Sequence, residues 1–325
     1  MLETGDLDRL IEYRNDPEVA RYQEWPMPFT RGDADRLLAD QVDQVGPAAD
    51  GRMVQLAVVA DGRMIGDVAV GIRPGGAIAS IGFTLAADAQ GRGHAREVVA
   101  ALVDALFSHG VQRIEASTDP ANLASIRVLD LTGFRCEGLA REAESIRGEW
   151  VDDLRFGLLA ADRADWLARP RSFERFDLRE LQNADARAVA ALQTHHHQIR
   201  LVSPIGKSLA EAIAPPEWEG HPMRPWYRVI VADDEVAGFV MVALPTPSQP
   251  EPYLWRLLID RRHQSRGLGT ATIAALTERF RNEGLASMAV SFVPGLGSPQ
   301  RFYERLGFRL NGREEDGELE ADLAL

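Results

Sequence analysis

A chain of 325 residues with 45% hydrophobic content is longer than one ordinary domain and apolar enough for two sizeable cores. Its net charge of -13 argues against nucleic acid or an anionic membrane surface as a partner, since both demand clustered Lys and Arg; the acidity either draws in a cationic substrate or keeps the chain soluble. The start MLETGDLDRLIEYRNDPEVARYQ lacks the basic and apolar run of a secretory signal, no uncharged stretch is long enough to span a bilayer, and the single Cys136 has no partner for a disulfide, so a cytoplasmic protein is expected.

In chain order, VQLAVVADGRMIGDVAVGI predicts two strands around a turn and IASIGFTLA a third. The string QGRGHA, residues 90 to 95, then opens an amphipathic helix that carries Val98, Leu102, Ala105 and Leu106 on one face and ends at Gly110. RIEAST is the next strand, NLASIRVLDLTG a second helix ending at Gly133, and DDLRFGLL a final strand. Charges, Pro170 and Ser172 interrupt the pattern in ADRADWLARPRS. Beyond that break the same order returns. YRVIVADDEVAGFVMVAL and PYLWRLLID read as strands, QSRGLG at 264 to 269 opens a helix with Ile273, Leu276 and Phe280 on one face, and MAVSFV, SPQRFYERLG and GELEADLAL follow as strand, helix and strand. A single offset of 174 residues carries Gln90 to Gln264, Gly110 to Gly284 and Gly133 to Gly307. The reading is a mixed α/β chain of two tandem domains, 1–162 and 173–325, joined by a linker at 163–172.

A glycine-containing turn between strand and helix presents backbone N–H groups at the positive end of the helix dipole, which suits a phosphate or pyrophosphate; the alternative is a turn that binds nothing, and repetition in register favours the first. The cradle would consist of Gln90, Gly91, Arg92, Gly93, His94 and Ala95 in the first copy and Gln264, Ser265, Arg266, Gly267, Leu268 and Gly269 in the second, with both arginines adding charge. Neither copy ends in the Gly-Lys-Ser/Thr of a P-loop. Neither has the third small residue of a dinucleotide fingerprint, whose place is held by Arg96 and Thr272. The run His195, His196 and His197 reads as a partly exposed helix face, because consecutive helical residues diverge too far to converge on one ion, and no metal is expected.

Gln-x-x-Gly-x-Gly/Ala between strand and helix, with a later helix ending in Gly-Phe, resembles the acetyl-CoA loop of the GNAT superfamily of N-acetyltransferases. The first copy, with DPANLASIRVLDLTGFRCEG and WVDDLRFGLL, is similar to the ribosomal-protein N-terminal acetyltransferase and antibiotic-resistance branch. The second, with YLWRLLID, GSPQRFYERLGF and DGELEADLAL, is similar to bacterial diamine and spermine/spermidine acetyltransferases. The resemblance implies an acetyl-CoA-dependent N-acetyltransferase acting on a primary amine of a small molecule or polyamine, with the coenzyme lying between two splayed strands that include Ile259. It implies that Tyr303, four residues before Gly307, is the general acid and that Glu318, or else Glu211, takes the amine's proton. Tyr303 aligns with Leu129, which donates no proton, and the position before Gly82 where relatives carry a glutamate holds Ser80. The first copy offers Ser125 for the thiol and Asn122 for coenzyme or substrate, although both also suit the cap and first turn of a helix. Three readings follow: transfer in the second domain, an aminoglycoside or protein N-terminal acetyltransferase working through the first, or an acyl-CoA-binding sensor without turnover. The chain would be a monomer with pseudo-twofold domains or a homodimer.

Overall fold

The computed structural model describes residues 1–218 and 220–325, which divide into two compact units, Met1–Ala168 and Arg169–Leu325. Unit 1 runs α1 (Leu7–Arg14), α2 (Pro17–Ala20), α3 (Arg31–Ala39), β1 (Met53–Ala60), β2 (Arg63–Ile72), β3 (Ile78–Leu85), α4 (His94–Ser108), β4 (Arg113–Thr118), α5 (Leu123–Thr132), β5 (Arg135–Ile146), β6 (Glu149–Leu159) and α6 (Ala160–Ala168). Unit 2 runs β7 (Phe176–Arg179), α7 (Ala186–Ala190), α8 (Ile205–Ile213), β8 (Glu217–Trp218), β9 (His221–Pro222), β10 (Arg224–Ala232), β11 (Glu235–Leu244), β12 (Tyr253–Ile259), α9 (Leu268–Asn282), β13 (Ser287–Phe292), α10 (Gln300–Arg305), β14 (Arg309–Glu315) and β15 (Glu318–Ala324).

The sheet orders are β1-β2-β3-β4-β6-β5 and β14-β15-β13-β12-β11-β10-β7, so unit 2 repeats unit 1 and adds β7 at one edge. All pairs are antiparallel except β3·β4 and β12·β13, the parallel pairs at the centre of each sheet. In each unit α4 or α9 and the following helix cover one sheet face, around Val99, Val103 and Phe134 in unit 1 and Leu276, Phe280 and Phe308 in unit 2. The repeat is held by backbone geometry: Gly133 and Gly307 end their helices at φ 105° and 99°, a conformation open to glycine at little cost.

Two features differ from the sequence reading. The last two strands of each unit form a hairpin, β5–β6 or β14–β15, where one strand was expected. The additional strands, RCEGLAREAESI and RLNGREE, are charged edge strands whose exposed residues mask the alternation that reveals a strand. The expected linker at 163–172 also begins as helix, because α6 packs back on its own unit. Arg163 makes a two-pronged contact with Asp104 at 2.8 and 2.9 Å, and Trp166 covers Gly133 so closely that a Cβ there would lie 2.8 Å from its ring.

Candidate functional site

The two repeated loops fold alike. Gly91 and Ser265 have φ of 74° and 62°, Gly93 and Gly267 both 90°, and these last two are the residues from which α4 and α9 begin. Gln90 Nε2 donates to the Leu85 carbonyl at 3.0 Å, and Gln264 Nε2 repeats this with Ile259 at 3.1 Å, tying each loop to the end of its central strand. Among the described residues, no backbone N–H from Gly91 to Arg96 or from Ser265 to Thr270 donates to a loop carbonyl or a side chain. Six amides at each helix start therefore remain available to an anion.

The side chains of the loops are less alike. Arg92 is exposed, as a phosphate contact requires, and His94 is partly exposed, whereas Ala95 packs beside Leu85 and Val68. Arg266 is turned inward and 6% exposed: its guanidinium donates to the Ser172 carbonyl at 2.7 Å, to His263 Nδ1 at 2.6 Å and to Asp233 at 2.7 Å. The charge contact expected of Arg266 is thus replaced by an internal brace, leaving its backbone N–H for the ligand. Leu268 is buried beside Ala232 and Ala237, and Gly269 faces the Phe302 ring, so these two also contribute main chain.

Beyond each loop the central strands part. Pairing between β12 and β13 covers Tyr253↔Ala289 and Leu254↔Val290 and then stops, and β3·β4 stops after Ser80↔Glu115. A bulge in β12 leaves Trp255 as the extra residue between Leu254 and Arg256, whereas β3 runs against β2 without a bulge. In unit 2 the gap opens into a cavity of about 800 Å³ whose lining includes Ile259, Gln264, Gly267, Leu268 and Gly269 together with Tyr303 and Glu318. Loop and catalytic candidates therefore share one cavity.

Tyr303 is 7% exposed, stacked on Phe292 with ring centroids 5.7 Å apart and edge-on to Phe302 and Phe308. Its hydroxyl has no hydrogen bond among the described residues. Burial, and secondarily Tyr253, pushes its pKa well above the ordinary tyrosine range, so the phenol is held in its protonated form. Glu318 accepts from Ser291 Oγ, which in turn bonds Tyr253 Oη at 2.5 Å; neither partner stood out in the sequence, because they come together only across three strands. Glu211 is held by Arg256 at 2.8 Å and approached by Lys207 at 3.7 Å, which leaves it a neutralised ion pair rather than a free base.

Unit 1 holds a smaller pocket of about 300 Å³ at its own gap. Leu129, 1% exposed, occupies the place of Tyr303. Asn122 caps α5 by accepting from the Ser125 N–H at 3.2 Å, and both residues line the pocket. Five carboxylates also line it, Glu24, Asp119, Glu144, Asp152 and Asp153, with no Lys, Arg or His among the lining residues. Burial, with Glu144 and Asp153 nearby, raises the Glu24 pKa. Among the described residues, the cavity of unit 2 is lined instead by Arg200, Lys207, Arg256 and Arg305, with Glu318 as its carboxylate.

His195 and His197 are buried and stacked 5.5 Å apart around a short 3₁₀ turn, not laid along an exposed helix face. Among the described residues no group of three potential ligands is placed to hold a metal ion, and no helix is long and apolar enough to cross a membrane.

Comparison with known proteins matches residues 1–135 to an acetyltransferase (GNAT) domain and residues 177–308 to the acetyltransferase (GNAT) family. An uncharacterized N-acetyltransferase, p20, of Bacillus licheniformis is 32% identical over 165 residues, covering 50% of this chain and 92% of that protein. The probable N-acetyltransferase YjcK of Bacillus subtilis is 39% identical over 105 residues, 31% of this chain and 58% of that one. Among solved structures, Vibrio cholerae spermidine N-acetyltransferase in complex with CoA and spermine aligns at 21% identity and TM-score 0.44 over 50% of this chain and 95% of its own. Mycobacterium smegmatis RimJ with CoA-disulfide aligns at 25% identity and TM-score 0.42, over 50% and 80%.

Proposed function

Since the chain belongs to the GNAT acetyltransferase family in both its units and is an acetyl-CoA-using N-acetyltransferase, we propose that unit 2 is the catalyst and that it acetylates a primary amine of a small molecule. The observation that carries this reading is Tyr303, a buried side chain whose hydroxyl makes no hydrogen bond among the described residues, in the same cavity as the 264–269 loop, against Leu129 in unit 1. The loop amides would hold the pyrophosphate of the acetyl donor, and the gap beside Ile259 would take its pantetheine arm. The amine attacks the thioester carbonyl directly, and Tyr303 protonates the departing sulfur. Much of the rate would come from holding the two reactants together in the gap.

Charge narrows the acceptor. An amine with a pKa of about 10.4 arrives protonated and needs a carboxylate to receive it, which Glu318 supplies. Glu211 offsets one of the four basic charges on the cavity wall and the remainder oppose a polycation, so an amine that also bears an acidic group suits unit 2 better than a polyamine does.

A second reading rests on the acid-lined pocket of unit 1, which suits a cationic acceptor such as a polyamine, an aminoglycoside or a protein N-terminus, with Ser125 beside it. Acetyl-CoA turnover with spermidine, kanamycin, lysine and alanyl-alanine, measured for the native chain, Tyr303→Phe and Ser125→Ala, separates the readings. Loss in Tyr303→Phe alone supports unit 2, and loss in Ser125→Ala alone moves the chemistry to unit 1. Tight acetyl-CoA binding without turnover on any amine would leave the chain a sensor.

A further inference from the structure

We infer that Ser291, oriented by Tyr253, is the relay that carries the acceptor's proton to Glu318. The inference rests on the reading of unit 2 as the catalyst. Side-chain alternation places the three residues together: Leu254, Val290 and Leu319 point into the core under α9, so their neighbours Tyr253, Ser291 and Glu318 point to the opposite sheet face. Tyr303 belongs to the α9 side. The proton donor for sulfur and the acceptor for the amine's proton therefore lie on opposite faces, connected where β12 and β13 part. Ser291 follows Val290, the last residue of β13 paired with β12, and so stands at the edge of that gap. All three residues line the 800 Å³ cavity.

The direction of the relay follows from the hydrogen-bond inventory. A serine hydroxyl donates once and accepts twice, and an ionised carboxylate accepts only. Ser291 donates to Glu318, so Tyr253 must donate to Ser291, a role that suits a phenol kept protonated by burial. One acceptor position remains on Ser291 Oγ for an N–H of the incoming ammonium. As that proton passes to Ser291, the serine's own proton passes to Glu318, which is partly exposed and returns it to solvent. The freed nitrogen lone pair forms the C–N bond, the C–S bond breaks, and sulfur takes the proton of Tyr303. A second proton from the acylated nitrogen restores the tyrosine. One proton is released per turnover.

The test is the pH dependence of kcat/KM for the intact chain, with the most active amine of the four-member panel. The native protein, which deprotonates its substrate, should hold its rate at neutral pH. Ser291→Ala must wait for free amine, so its rate should climb about tenfold per pH unit toward the amine pKa, about 10.4 for a lysine-type nitrogen, with a loss on the order of 10³-fold near neutrality mostly recovered at the alkaline end. Tyr253→Phe should shift the profile the same way by less, and Ser291→Thr, which keeps the hydroxyl, should restore the native profile. A loss in Ser291→Ala of equal factor at every pH, or no loss at all, would overturn the relay while Tyr303→Phe inactivity left unit 2 as the catalyst. Activity abolished by Ser125→Ala and untouched by Tyr303→Phe would overturn both. Circular dichroism melting checks each variant's fold, and Ser291→Thr with Tyr253→Phe decides the matter should Ser291→Ala not fold.

Discussion

Units 1 and 2 share a strand order, a pair of left-handed glycines and a loop of six open amides, yet they diverge wherever chemistry would occur. Among the described residues, unit 2 has the bulge at Trp255, the buried Tyr303 side chain and a cavity lined by cations with Glu318; unit 1 has an unbroken β3, Leu129 and five carboxylates. The cradle is set by backbone geometry, which tolerates many side chains as long as the left-handed positions are met. The reacting groups are single side chains on a packed frame, so one substitution removes them without disturbing the fold. Duplication can thus preserve a binding scaffold while its two active ends part company.

The sharpest way to break this comparison is to exchange nothing but the matched positions. Tyr303→Phe should lower kcat by about 10²–10⁴-fold with little change in acetyl-CoA affinity, whereas Leu129→Phe should leave steady-state turnover near native. Stability gives the next largest contrast. In unit 1 the buried Arg14 pairs with Asp67 at 3.2 Å and lies over the Trp25 ring at 4.5 Å. Removing one partner as Arg14→Met should cost unit 1 about 3–5 kcal/mol, seen as an early transition in scanning calorimetry while unit 2 melts as before.

The shared cradle makes a symmetric prediction. Isothermal titration with acetyl-CoA should show two sites, with Gly93→Val removing one and Gly267→Val the other, because a β-branched residue resists φ near 90°. A single site lost only with Gly267→Val would mean that unit 1 retains the shape of the cradle without its use. The smallest effect concerns pH. Burial holds the His263 pKa below the ordinary histidine range, its Nδ1 accepts from Arg266, and Glu235 lies 3.6 Å away, so native unit 2 carries it neutral. The unfolded chain takes up that proton below about pH 6.5, so the stability of unit 2 should be undiminished above that pH and decline as pH falls toward the lower native pKa. His263→Gln should flatten this part of the curve in denaturant titrations.

Much of the frame was legible in the chain itself. The 174-residue offset, the strand before each loop and the helix after it follow from periodicity and glycine placement, and the fold repeats them. The hairpin strands β5 and β14 were not legible, because they are rich in charge, largely exposed and carry no clear alternation. At the candidate site, motif position singled out Tyr303 and Glu318, but Tyr253 and Ser291 carried no signal: a lone tyrosine and a lone serine in strands read as ordinary. The inward turn of Arg266 was hidden for the same reason, since its partners Ser172 and Asp233 lie 94 and 33 residues away.

What the sequence by itself determined is the duplication and the loop, because both depend on local backbone preferences that glycine and apolar spacing encode within a few residues. The tertiary structure alone decided which groups meet. The charge of each cavity, the neutralisation of Glu211 by Arg256 and the line from Tyr253 through Ser291 to Glu318 arise from side chains on separate strands and helices. Their distance in the chain is unrelated to their distance in space, and hydrogen bonds and ion pairs act only over the latter.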